Sequence, residues 1–168
     1  MKQSLQVMVL ALFTVGVGLP MAPVGTQAAQ STEAYAQANR GVALLEQFRF
    51  TEAIVAFEAV VTLEPSGAAG HINLGIAYFN ERDFDKALAS FERARELDDS
   101  SPYVHYNLGL VYKLQGETEA ALAAFTRVLP LDPVDSMTHY YLGTLYANLG
   151  RLEEAEATLR RTIELQPN

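Results

Sequence analysis

Three histidines recur in one local pattern and are the first candidates for chemistry in this chain. His71, His105 and His139 each begin the sequence His-x-x-Leu-Gly-x-x-Tyr, and the two intervals between consecutive copies are equal. Three imidazoles on a regular ladder could ligate a metal ion or, if they are buried, respond to acid. If the copies lie on separate packed helices, however, they are roughly 10 Å apart, whereas zinc needs nitrogens at about 2.0–2.1 Å. We therefore predict that each imidazole packs between helices, with no metal and no other cofactor.

The other side chains that could carry catalysis do not form a recognisable group. Cysteine is absent, which excludes disulfides, thiolate metal sites and thiol catalysis. Acidic residues such as Asp83, Glu153 and Glu154 lie at predicted helix starts or on outward faces, where solvation and the helix dipole account for them. A nucleophile with its base would interrupt the repeated pattern with polar residues, and no such interruption occurs. We predict that the protein is not an enzyme.

The elements that position these residues follow the same period as the histidines. Glycine recurs at four equivalent positions, alanine recurs twelve residues later, and a large apolar residue follows each alanine by four: Gly41, Gly75, Gly109, Gly143; Ala53, Ala87, Ala121, Ala155; Phe57, Phe91, Phe125, Leu159. Apolar residues before and after each turn are spaced three or four apart, which is the period of a helix. Each repeat is therefore predicted to be a helix, a tight turn and a second helix, with the glycine where the two helices cross.

Four such repeats tile the chain, at about 34–67, 68–101, 102–135 and 136–168. Local signals mark some of the helix starts. Ser101 precedes Pro102 as an N-cap followed by proline at the first helical position, and Asp83 can cap the second helix of its repeat.

The N-terminal segment, residues 1–29, has a different character. Lys2 is followed by an apolar run from Val7 to Leu19, then by two prolines and a stretch of small residues. This layout is typical of a secretory signal peptide, with cleavage after Ala28 or Ala29. An uncleaved membrane anchor is the alternative, although a span needs about 20 apolar residues. We predict export across a bacterial-type inner membrane to the periplasm, the thylakoid lumen or the medium.

Composition limits the classes of partner. The chain has 168 residues, of which 49% are hydrophobic, and this suits one domain or one short repeat array (30–168). It carries 20 acidic and 12 basic side chains and has no basic run. Nucleic acid is therefore an unexpected partner, and a membrane is expected to be contacted only through the N-terminal segment.

The repeated residues resemble the tetratricopeptide repeat, in which histidine here replaces the usual tryptophan of the first position. The resemblance covers about 31–168 and is weakest in the first repeat, where Phe48 replaces the small turn residue. Ala53, Phe57 and Pro65 nevertheless keep the first repeat in register. The resemblance implies an all-α, right-handed α-solenoid of helix-turn-helix repeats.

Family resemblance also assigns the inner, concave face to the first helix of each repeat. The expected partner-binding residues on that face are Asn73, Phe79, Asn80, Tyr103, Tyr106, Asn107, Lys113, Tyr140, Tyr141 and Asn148. Asparagine can pair with the backbone of an extended peptide, and tyrosine supplies rigid amphipathic area. The asparagines could equally bond to neighbouring helices and only fix the packing, and both interpretations stay open.

The expected function is a non-catalytic scaffold that holds a peptide segment or a partner protein in this groove. Cochaperones of the family hold a C-terminal carboxylate with basic residues, but Ala38, Tyr103 and Asn107 stand at those positions here, so this subclass is not expected. The alternative is an assembly subunit that forms homo-oligomers through its uncapped C-terminal repeat. Arg160, Arg161 and Glu164 suggest instead that the outer face of that repeat is polar enough for solvent.

Overall fold

The computed structural model describes residues 24–166, with side chains from Ala28 onward, and it places eight helices and no strand in this range. The helices are α1 Val24–Glu46, α2 Phe50–Leu63, α3 Ala68–Glu81, α4 Phe84–Leu97, α5 Pro102–Gln115, α6 Thr118–Val128, α7 Ser136–Asn148 and α8 Leu152–Leu165. The predicted helix-turn-helix pattern is therefore confirmed. Most of the predicted N-terminal segment, residues 1–23, lies outside the described residues, and α1 begins within that segment at Val24.

The period of the sequence is visible in the helix starts. The first helices of the second, third and fourth repeats, α3, α5 and α7, begin at equally spaced positions, Ala68, Pro102 and Ser136. This spacing equals that of the three histidines. None of the helices in the described residues is both long enough and apolar enough to cross a membrane.

The chain divides into two compact units. Unit 1 ends at Leu97 and contains α1–α4, and unit 2 begins at Asp98 and contains α5–α8. Each unit has its own buried side chains, among them Phe57 and Phe91 in unit 1 and Val111 and Phe125 in unit 2. The single domain predicted over 30–168 stays a prediction.

Within each helical pair, the recurrent glycine lies against the large apolar residue of the second helix. A Cβ atom added at Gly75 would lie 2.5 Å from Cε1 of Phe91, and one added at Gly109 would lie 2.8 Å from Cε1 of Phe125. The same approach occurs between Gly41 and Phe57, at 2.5 Å. The prediction that glycine allows the two helices to cross closely is confirmed.

The structure confirms one of the two capping predictions, at Asp83, and not the other, at Ser101. The Lys86 backbone N–H donates to Oδ1 of Asp83 at 3.3 Å, as expected of a cap. Ser101 occupies the N-cap position before Pro102, but its side chain makes no capping bond. The Val104 N–H donates instead to the backbone carbonyl of Ser101, at 3.3 Å, so the main chain replaces the predicted hydroxyl contact.

The turn inside each repeat uses a left-handed backbone conformation. Residues with positive φ occur at four equivalent positions: Phe48 (58°), Arg82 (70°), Gly116 (79°) and Gly150 (72°). Only glycine adopts this conformation without a steric penalty from Cβ.

Candidate functional site

The three histidines hold the turns that precede their helices. Nε2 of His71, His105 and His139 lies 3.2, 2.9 and 3.2 Å from the backbone carbonyl oxygen six residues earlier, in Pro65, Asp99 and Pro133 respectively. Each imidazole therefore has a hydrogen-bonding role, and His105 is buried at 3% exposure whereas His71 and His139 are half-buried. Among the described residues, no group of three His, Cys, Asp or Glu side chains is placed to hold a metal ion.

Unit 2 contains an aromatic cluster that joins α5, α6 and α7. The ring of Tyr141 is stacked on that of Phe125, with centroids 5.1 Å apart and an interplanar angle of 20°. Tyr106 meets Phe125 edge-on at 5.8 Å and Tyr141 at 6.1 Å. Burial, reinforced by Tyr141, raises the pKa of Tyr106 far above its usual value. These three rings form a tightly packed aromatic cluster that can support neighbouring side chains.

Two exposed tyrosines lie next to this cluster in contact or in sequence: Tyr140 touches Tyr141, and Tyr103 lies one helical turn before Tyr106 on α5. Tyr140 contacts Tyr141 with ring centroids 5.7 Å apart and is 45% exposed, and Tyr103 on α5 is 37% exposed. The ammonium of Lys113 lies 5.5 Å from the centroid of the Tyr141 ring, which is the geometry of a cation–π contact. We call Tyr103, Lys113, Tyr140 and Tyr141 the tyrosine surface.

The asparagine amides have a third role that neither interpretation of the sequence included. Nδ2 of Asn107 donates to the backbone carbonyl of Tyr103 at 2.8 Å, and Nδ2 of Asn80 donates to that of Ile76 at 2.8 Å. Both bonds lie within one helix, between residues four apart. Each of these amides therefore has one N–H committed to its own helix and keeps its second N–H and its oxygen for a partner.

The other residues predicted to bind a partner differ in their exposure. Asn73 and Tyr106 are buried, at 6% and 7% exposure, and offer a partner almost no surface. Tyr106 shares its repeat position with the exposed Tyr140, so its burial follows from packing against Phe125 and Tyr141, which the family assignment did not resolve. Phe79 is half-buried in unit 1, where its ring packs edge-on against Phe84 at 5.7 Å. Asn148 is exposed near the end of α7.

One interaction between repeats was not expected from the sequence. The hydroxyl of Tyr78 on α3 donates to Oε1 of Glu58 on α2 at 2.7 Å, and the ammonium of Lys86 lies 5.3 Å from the Tyr78 ring centroid. Burial and the Glu58 carboxylate raise the pKa of Tyr78 to about 12. Glu58 recurs as an acid only at Glu92, with Thr126 and Arg160 at the next two equivalent positions, so the repeat pattern does not predict its contact with Tyr78.

The predicted outer face of the C-terminal repeat is largely polar. Glu156 and Thr162 of α8 occupy the positions that Leu122 and Val128 hold in α6, one repeat earlier. Arg160 pairs with Glu156 at 2.7 Å. Ile163 is nevertheless 73% exposed on the same helix.

Solved structures share this fold. A crystal structure of MamA matches with 23% identity and a TM-score of 0.75, covering 84% of this chain and 82% of the other. MamA 41-end from Desulfovibrio magneticus RS-1 matches with 22% identity and a TM-score of 0.74, over 80% of this chain and 76% of the other. TTC0263, a thermophilic tetratricopeptide repeat protein of Thermus thermophilus, matches with 24% identity and a TM-score of 0.70, over 86% and 79%. At these identities the similarity establishes the fold.

Sequence models agree with the structural matches. Models described as tetratricopeptide repeat match residues 34–66, 72–136 and 106–168, which together cover more than half of the chain. No curated protein sequence matches significantly. The expected class, an all-α solenoid of tetratricopeptide-like repeats, is confirmed, and this class is in general a protein-interaction scaffold without catalysis. The chain belongs to the tetratricopeptide repeat family.

Proposed function

We propose that unit 2 holds an extended segment of a partner protein on the tyrosine surface. The observation that carries the proposal is the exposed Tyr140 in contact with Tyr141 of the aromatic cluster, with the exposed Tyr103 one helical turn before Tyr106 on α5. Tyr141 cannot turn away without losing its stacking on Phe125, so the surface is ordered before a partner binds. Rigid, amphipathic tyrosine is a favourable anchor because it loses little conformational entropy on binding.

The polar atoms of this surface suit a peptide backbone. Among the described residues, neither the Tyr103 nor the Tyr140 hydroxyl has a hydrogen-bonding partner. Lys113 adds a donor, and the oxygen of the Asn107 amide adds an acceptor. An extended segment could satisfy these groups with its own carbonyl and N–H groups while its side chains cover the rings.

Affinity capture with the full chain and paired variants tests this proposal. Tyr103→Ala with Tyr140→Ala should abolish retention of the partner, while circular dichroism shows unchanged helicity. The matched control is Leu152→Ala with Ile163→Ala, which removes exposed apolar side chains from α8 of the same unit. Equal capture by both double variants would move the binding site away from the tyrosine surface.

We also propose that the protein is exported and that residues 1–29 are its signal peptide. The support is the short basic start, the apolar run and the small residues near Ala28. Expression of the full chain in a bacterium, followed by cell fractionation and intact-mass measurement, tests this. Cleavage after Ala28 or Ala29 and recovery outside the cytoplasm are expected, whereas an intact chain in the membrane fraction would establish the anchor instead.

The second candidate is self-association through the C-terminal repeat, and the exposed Ile163 is the observation that favours it. The polar replacements at Glu156 and Thr162 argue against a large apolar contact there. Light scattering over a range of concentrations separates the two candidates. A monomer at all concentrations would exclude self-association, while a dimer that Ile163→Asp dissociates would establish it.

A further inference from the structure

We infer that the segment bound by the tyrosine surface is electrically neutral, with at most one acidic side chain placed opposite Lys113, although the chain as a whole is strongly acidic. This inference rests on the proposed function and specifies the chemistry of its partner. The chain carries a formal net charge of −8, which by itself would favour basic partners.

Charge is distributed unequally between the first and second helices of unit 2. α5 and α7, which supply the tyrosine surface, contain one Asp, Glu, Lys or Arg residue between them, and that residue is Lys113. α6 and α8 contain eight: Glu119, Arg127, Glu153, Glu154, Glu156, Arg160, Arg161 and Glu164. The helices that supply the surface thus carry no acidic residue, and the acids of unit 2 lie on α6 and α8 and in the turns, where they are Asp98, Asp99, Glu117, Asp132 and Asp135.

The acid at the start of α7 is already occupied. Oδ1 of Asp135 accepts from the Met137 N–H at 3.3 Å, and Oδ2 accepts from the N–H and hydroxyl of Thr138 at 3.0 and 2.5 Å. These bonds satisfy both carboxylate oxygens within the helix N-terminus. Asp135 is therefore a poor counter-ion for a basic side chain of the partner.

Lys113 further disfavours a basic partner. A partner lysine or arginine could approach the face of a tyrosine ring, but the Lys113 ammonium already lies over Tyr141. A second cation would meet the like charge of Lys113, and burying an unpaired charge is unfavourable. The remote acids contribute little, because physiological salt screens charges beyond about 8 Å.

Selection from a random dodecapeptide library against the full chain tests the inference. Peptides that depend on Tyr140 should be neutral or carry one acidic residue, and their affinity should change by less than about threefold between low and high salt. Lys113→Gln should weaken the binding of peptides with an acidic residue by a larger factor than the binding of neutral peptides.

The outcomes separate the inference from the proposed function. Enriched peptides that are basic, bind more weakly in salt and still require Tyr140 would overturn neutrality and leave the tyrosine surface as the site. Enriched peptides that bind the Tyr103→Ala, Tyr140→Ala variant equally well, or a selection that yields no peptide dependent on Tyr140, would count against the proposed function itself.

Discussion

The junctions between repeats within unit 1 and within unit 2 are closed by different chemistry. In unit 1, the Tyr78 hydroxyl of α3 donates to the Glu58 carboxylate of α2 at 2.7 Å. In unit 2, the Tyr141 ring of α7 is stacked on Phe125 of α6. Asn73 occupies the position of Tyr141 in unit 1, two repeats earlier, so the same repeat phase gives an aromatic surface in only one unit.

The turns inside the repeats also differ between the two units, in the residue type at the left-handed position. Unit 2 has Gly116 and Gly150 at the left-handed positions, whereas unit 1 has Phe48 and Arg82 there. The backbone conformation is nevertheless alike, with φ between 58° and 79°. Packing of the two helices therefore imposes the turn, and the local residue only changes its energy.

The largest effect is expected from the helix crossing, where the two units are alike. Gly75→Ala places a Cβ atom 2.5 Å from the fully buried Phe91 ring and should lower the free energy of unfolding by about 3 kcal/mol. Urea denaturation of the full chain measures this. Gly109→Ala should cost less, because its Cβ would lie 2.8 Å from Phe125. A cost at Gly75 below that at Gly109 would show that the Phe91 ring can move aside.

Removal of the aromatic stack tests the junction in unit 2. Tyr141→Ala should lower the free energy of unfolding by about 2 kcal/mol, because it removes contacts with Phe125, Tyr106 and Lys113. The control Tyr140→Ala truncates an exposed ring and should cost less than about 0.5 kcal/mol. Equal costs in thermal or urea unfolding would show that the stack is not a support for the surface.

Alkaline pH tests the junction in unit 1. The pKa of Tyr78 is raised from its ordinary value of 10.0 to about 12, so the folded state favours the protonated phenol. The resulting stabilisation is fully present below pH 10 and is lost as the pH rises through about 12. Urea unfolding should show a steeper loss of stability between these values for the parent than for Tyr78→Phe. Parallel curves would contradict the raised pKa of Tyr78, to which burial contributes most and the hydrogen bond to Glu58 next.

The smallest effects are expected at the turns. A Cβ atom at Gly116 would meet no atom within 4 Å, so Gly116→Ala should cost about 1 kcal/mol through backbone strain alone. Arg82→Gly removes the same strain from unit 1 and should change stability in the opposite direction, by less than about 1 kcal/mol. Arg82→Ala keeps the strain and controls for loss of the guanidinium. Destabilisation by Arg82→Gly alone would show that the flexibility of unfolded glycine outweighs the strain.

The sequence predicted the parts of the fold that depend on local period. Apolar spacing predicted two helices in each repeat, and the glycine and phenylalanine ladders predicted the close crossings seen at Gly75 and Gly109. Asp83 was predicted as a cap because that contact joins residues only three apart in sequence. Ser101 shows the limit of such signals, since the backbone carbonyl accepts the bond predicted for the hydroxyl.

For the candidate site, residue types were predictable and their environments were not. Tyr103 and Tyr140 were expected on a partner-facing surface and are exposed, but Tyr106 and Asn73 were expected there too and are buried. Tyr106 and Tyr140 occupy the same position in consecutive repeats, so packing against Phe125 and Tyr141, and not helical phase, decides that Tyr106 is covered. The hydrogen bonds from the side-chain amides of Asn80 and Asn107 to carbonyls of their own helices were not predicted, because an asparagine side chain has several local partners of similar energy.

The sequence by itself determined the repeat, the family and the presence of a single charged residue, Lys113, on α5 and α7, because period and composition are properties of the chain. Only the tertiary structure decided that Tyr141 stacks on Phe125 while Tyr78 bonds to Glu58. These contacts join residues on different helices, so their geometry depends on how neighbouring repeats pack. The exposure of Tyr140 next to the packed aromatic cluster is a consequence of that packing.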